Sequence, residues 1–149
     1  MEKIRLTKEF HFEMAHALWN YNGSCKSIHG HSYKLFITLI GIPVNNVTDP
    51  KNGMVADFSD IKKWIKAPIL DQLDHALVIS DDADSKGLSK ISQMFDKLMI
   101  VDFQPTCENL LIHIVKKIKP LLPERLSLHS VKLCETATSY AEWFASDNS

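Results

Sequence analysis

From residue 4 to residue 16 apolar and polar side chains alternate with a period of two. Phe10, Phe12, Met14 and His16 share one parity, and His11, Glu13 and Ala15 the other. Alternation of this kind predicts a strand with one face turned inward. Residues 31–42 predict a second strand, rich in aromatic and branched side chains through Lys34-Leu35-Phe36-Ile37-Thr38-Leu39-Ile40 and broken by Gly41-Ile42-Pro43. Asn45 to Gly53 is a turn-rich connection, and Met54 to Phe58 is expected to form a short strand leading into a helix. Asp57 or Ser59 can cap that helix, in which Ile61, Trp64 and Ile65 follow helical spacing until Pro68 kinks or restarts it. Ile69, Leu70 and Leu73 carry the apolar side on to Asp74-His75.

A second helix is expected from about Thr106, with Glu108 in its first turn and a stripe of Leu110, Leu111, Ile114, Val115 and Ile118, ending before Pro120 and Pro123. Residues 127–135 alternate again, with His129, Val131, Leu133 and Glu135 on one parity, and 139–144 gives a final strand. The segment from Asp81 to Gln104 opens like a loop, while Ile91, Phe95, Leu98 and Met99 offer cover for part of the core. These elements predict an α+β domain over 1–149, a four-stranded antiparallel sheet with two helices packed on one face. Such a sheet leaves open edges that need cover.

Composition narrows the function classes. With 149 residues, 45% hydrophobic and 23% charged, the chain can build one sizeable core. A net charge of −1 with scattered basic residues points away from nucleic acid and from charged membranes. No apolar run approaches a membrane span, and Met1-Glu2-Lys3-Ile4-Arg5 lacks the apolar core of a signal peptide. Three cysteines, an odd number, suit a reducing compartment, so a cytoplasmic setting is expected.

The chemistry concentrates in Cys25-Lys-Ser-Ile-His29-Gly-His31-Ser-Tyr33. His29 and His31, two apart on a strand, point the same way and can grip one metal ion. If the first two strands pair through the polar loop Asn20 to Ser27, His16 joins them. Three imidazoles with one open position are the usual donors of catalytic zinc, although copper, iron and nickel also take imidazole. Cys25 either closes the tetrahedron of a purely structural zinc or stands beside the ion as a reactive thiolate. Asp74-His75 alone reads as a helix C-terminal histidine paired with the dipole. Glu135, on the face of Val131 and Leu133, is either in a salt bridge or serving a ligand, and a carboxylate can bridge two adjacent N–H donors.

In order along the chain, Phe12-Glu13-Met14-Ala15-His16, Cys25 to Tyr33, Val55-Ala56-Asp57-Phe58, Leu73-Asp74-His75, Pro105-Thr106-Cys107-Glu108-Asn109 and Cys134-Glu135-Thr136 resemble the 6-pyruvoyl-tetrahydropterin synthase / 6-carboxy-tetrahydropterin synthase family, of tunnelling-fold type. The resemblance implies zinc on His16, His29 and His31, Cys25 as general base in a relay with Asp74 and His75, and Glu135 anchoring a pterin ring near Thr106. It implies 7,8-dihydroneopterin triphosphate as substrate, and trimers or hexamers of this chain with active sites between subunits. Three residues between Cys25 and His29 match the queuosine-pathway branch, which makes 6-carboxy-tetrahydropterin, rather than the pyruvoyl branch. A non-catalytic, zinc-stabilised pterin-binding protein is the alternative from another class. Asp81 to Gln104 is longer than the compact family pattern and is placed to border the active-site mouth.

Overall fold

A computed structural model describes residues 1–149. Its backbone is organised by a long ribbon of two strands, β1 (Ile4–His16) and β2 (His29–Gly41), antiparallel and in unbroken register from Ile4 opposite Gly41 to His16 opposite His29. The period-two pattern fixes that register, because a slip of one residue would turn every apolar side chain outward. Phe10, Phe12 and Met14 of β1 face inward with Tyr33, Leu35, Ile37 and Leu39 of β2. Full burial of such a side chain contributes about 1.5–3 kcal/mol.

Four more strands extend the ribbon: β3 (Ala76–Ser80), β4 (Leu98–Val101), β5 (Ser127–Cys134) and β6 (Tyr140–Phe144), in the order β4-β3-β1-β2-β5-β6. The expected four-stranded antiparallel sheet is therefore corrected to six strands, and it is partly parallel: β3 runs parallel to both β1 and β4. All five residues of β3 are buried. A strand covered on both faces shows no alternation to read. A register shift between Thr38 and Leu39 marks a bulge in the β2–β5 pairing. It turns Leu128 into the core in place of His129 and corrects the single parity expected for β5.

Helix α1 (Phe58–Ile65) starts at Asp57, whose side chain accepts from the Ser59 N–H. The short strand expected before it is absent: Met54 to Ala56 form no regular element, and Asp57 is the cap. At Pro68 the helix widens into a π-turn over Lys66–Leu70 and closes with the single turn α2 (Asp71–Leu73). Proline has no N–H to donate, so the regular ladder cannot continue through it. The expected two helices are corrected as well: a further helix, α3 (Ser85–Met94), and β4 lie in the 81–104 segment, of which only the opening reads as a loop, and α3 buries no residue. Helix α4 (Cys107–Ile118) packs Leu110, Leu111, Ile114, Val115 and Ile118 into the core with Ile61 and Ile65 of α1. No helix is long and apolar enough to cross a membrane.

Candidate metal centre and proton-relay pair

At the end of the β1–β2 ribbon, on the parity that further along carries core residues, stand three imidazoles. His16 lies opposite His29, and His31 lies opposite Met14. Their ligand atoms all fall within 4.8 Å of one another. His16 is 2% exposed, and burial lowers its pKa below the usual histidine range. Its Nδ1 sits 2.6 Å from the Pro105 carbonyl, and Nδ1 of His29 sits 2.7 Å from the Ser27 carbonyl. A carbonyl can only accept, so both rings carry their proton on Nδ1 and turn an Nε2 lone pair inward.

Those two Nε2 atoms are 3.1 Å apart. With both protons on Nδ1 neither nitrogen can donate to the other, and the contact asks for a shared cation. Two nitrogens on a tetrahedral ion at about 2.0–2.1 Å would lie roughly 3.3 Å apart. The donor set therefore fits a divalent metal such as zinc, with the outer ring nitrogens already oriented by carbonyl partners.

Beside the histidines a cavity of about 310 Å³ is lined by His16, Cys25, Thr106, Glu135 and Tyr140. Glu135 directs Oε1 to within 3.6 Å of His16 Nε2 and 3.9 Å of His31 Nε2. The hydroxyl of Tyr33, a residue 1% exposed, donates to the same oxygen at 3.3 Å. Burial drives the Tyr33 phenol far above its ordinary pKa, so it stays a donor. Thr106 is the N-cap of α4, accepting from the Asn109 N–H at 3.3 Å, which leaves its own hydroxyl proton for a ligand. Cys25 lies in a short 3-10 turn, Ser24–Lys26, and its carbonyl accepts from the Leu18 N–H. Gln104 pins the same loop through both main-chain groups of Trp19.

Asp74 and His75 follow α2 and meet β1 at Glu13. The Glu13 N–H donates to Asp74 Oδ1 at 2.9 Å, and the His75 N–H donates to the Glu13 carbonyl at 2.6 Å. The Glu13 N–H is the main reason the Asp74 carboxyl is held below its usual pKa. Asp74 Oδ2 is 3.1 Å from His75 Nδ1, the geometry that orients an imidazole. His75 has a φ of 61°, a left-handed conformation that costs on the order of 1–2 kcal/mol in a residue other than glycine. The clamp by Glu13 holds it there, as strained residues at functional sites are held.

The structure thus brings His16, His29 and His31 together and sets Cys25, Thr106 and Glu135 around one cavity with His16. It does not bring Asp74 and His75 into that cavity. His75, with 76% of its side chain exposed, lines a separate cavity of about 630 Å³ together with His31, Ser32 and Lys97. Sequence reasoning missed Glu13, whose part is played by main-chain groups that leave no side-chain signature. It also missed Tyr33, although the parity shared with His29 and His31 is its signal.

A profile of the 6-pyruvoyl tetrahydropterin synthase family matches residues 5–146, and the chain belongs to that family. It is 36% identical over 142 residues to a 6-carboxy-5,6,7,8-tetrahydropterin synthase of Haemophilus influenzae, covering 94% of this chain and 98% of that one. It is 32% identical over 108 residues to the 6-pyruvoyl tetrahydrobiopterin synthase of Homo sapiens, covering 72% of this chain and 60% of that one. Among solved structures, an uncharacterised protein from Wolinella succinogenes superposes with a TM-score of 0.78 at 22% identity, covering 97% and 99% of the two chains. The 6-pyruvoyl tetrahydropterin synthase of Caenorhabditis elegans gives 0.68 at 24% identity, covering 97% of each chain. These two structures speak for the fold alone.

Proposed function

We propose that this protein, as one catalytic domain over residues 1–149, is a zinc-dependent 6-carboxy-5,6,7,8-tetrahydropterin synthase. Its substrate is 7,8-dihydroneopterin triphosphate, and with one water taken up the products are 6-carboxy-tetrahydropterin, acetaldehyde and triphosphate. The ring gains the hydrogens that the side chain loses, so no external oxidant or reductant is needed. The observation that carries the reading is the histidine cluster beside the cavity of Cys25, Thr106 and Glu135. Support for the carboxy product comes from the near full-length similarity to the Haemophilus relative and from the three residues between Cys25 and His29.

When bound by His16, His29 and His31, zinc supplies Lewis-acid polarisation of the substrate's side-chain oxygens. Glu135 accepts from adjacent N–H groups on the pterin edge, with Tyr33 fixing one of its oxygens and Thr106 close by. Cys25 takes protons from the side-chain carbons, and His75 returns them. Asp74 keeps the His75 proton on Nδ1 and leaves Nε2 for the exchange. Because Cys25 and His75 line different cavities of one chain, the relay is completed across a boundary between copies, in a trimer or hexamer. The setting is cytoplasmic, in keeping with three free thiols.

A 6-pyruvoyl synthase is the second reading, favoured by the similarity to the human relative. Incubating zinc-loaded protein with 7,8-dihydroneopterin triphosphate separates the readings. Acetaldehyde formed in step with triphosphate supports the carboxy reaction, and a pyruvoyl product refutes it. Pterin binding without turnover would make the protein a non-catalytic binder.

A further inference from the structure

Lys97 lies in the stretch between Asp81 and Gln104, just ahead of β4. Its main chain is anchored, because its carbonyl accepts from the Leu77 N–H at 2.9 Å. From that fixed point the ammonium reaches back to the end of α2, donating to the Asp71 carbonyl at 2.8 Å and to the Asp74 carbonyl. The second contact matters most. The Asp74 carbonyl belongs to the peptide that leads into His75, the residue with positive φ. Glu13 grips this turn from the β1 side, and Lys97 grips it from the β4 side. A helix C-terminus also presents unpaired carbonyls that a cation satisfies.

We propose that Lys97 is a positioning residue for the acid–base pair, fixing the Asp74–His75 peptide and with it the direction in which the His75 imidazole meets substrate. This rests on the assignment of Asp74 and His75 to the proton relay. It gives the long segment a catalytic purpose: α3 and β4 deliver one ammonium group to the back of the relay turn. Lys97 also lines the cavity that His75 and His31 share, so its displacement would be felt there.

The test compares K97M and K97R with the full-length, zinc-loaded wild type. Turnover of 7,8-dihydroneopterin triphosphate is measured alongside the imidazole proton–nitrogen spectrum, with His75 assigned through H75Q. A misplaced catalytic group costs roughly ten- to hundred-fold in rate. In K97M, kcat is expected to fall by that factor while KM and zinc content hold and the His75 signals shift. Arginine can donate to the same carbonyls, so K97R should recover much of the loss. Wild-type kcat and an unmoved His75 signal in K97M would overturn the proposal, as would a lower melting temperature with unchanged rate per folded molecule. If K97M folds poorly, K97R set against wild type decides by the same two readouts. If the wild type does not turn over the pterin, the functional reading fails, and the His75 signals of K97M still decide the role of Lys97.

Discussion

Tyr33→Phe removes one oxygen from the interior and leaves everything else in place. The Tyr33 ring stacks on Phe12 with centroids 5.1 Å apart, and phenylalanine keeps that contact. What is lost is the 3.3 Å hydrogen bond to Glu135 Oε1. A hydrogen bond to a charged acceptor contributes about 1.5–3 kcal/mol. This one is long, and the Glu135 side chain is 25% exposed, so water can replace part of it. About 1 kcal/mol is the resulting magnitude, equivalent to roughly five-fold in binding. Steady-state kinetics on 7,8-dihydroneopterin triphosphate should show KM raised by about that factor, with kcat and zinc content little changed. Urea unfolding should move by no more than about 1 kcal/mol. An unchanged KM would refute the claim that Tyr33 holds the carboxylate for substrate. A loss of zinc would assign the hydroxyl to the metal centre instead.

Glu135→Gln replaces an acceptor oxygen with an N–H that meets the pterin's own donors, and KM should rise at least roughly ten-fold at constant zinc content. Ile61→Ala, at a site with 0% exposure in α1, should cost about 2–5 kcal/mol in urea unfolding while leaving zinc stoichiometry at wild type. Burial pushes the Cys107 thiol up from 9.0 to about 11. Between those values the folded chain holds a proton that the unfolded chain has released. Stability from this group is therefore complete below pH 9 and falls as the pH approaches 11. The loss is on the order of 1–2 kcal/mol, since the thiol is only partly buried. Urea midpoints from pH 8 to 11 check this, and Cys107→Ala should flatten part of the slope.

The convergence of His16, His29 and His31 is the most legible part of the chain, because it rides on strand parity. Once Phe12, Met14 and His16 share a face, pairing with His29 and His31 follows from one hairpin. The α4 stripe was equally plain, and all five of its residues are buried. β3 hid for the opposite reason: Ala76 to Ser80 is covered on both faces and alternates nowhere. The bulge at Thr38–Leu39 exchanges His129 for Leu128, and neither residue announces a bulge. α3 went unread because a helix that buries nothing needs only a weak stripe. Glu13 acts through its own main chain and the Lys97 ammonium binds main-chain carbonyls, so neither contact leaves a paired side-chain motif in the sequence. Cys25 and His75 line different cavities of the folded chain, a separation that strand parity and helical spacing do not encode.

Zinc K-edge absorption on protein loaded with one equivalent of the ion reads out ligation by His16, His29 and His31 without reference to substrate. Three imidazole nitrogens at about 2.0–2.1 Å and a light oxygen ligand in the remaining position are expected. A sulfur scatterer at about 2.3 Å would contradict it, because Cys25 would then be closing a structural tetrahedron rather than standing free as a base.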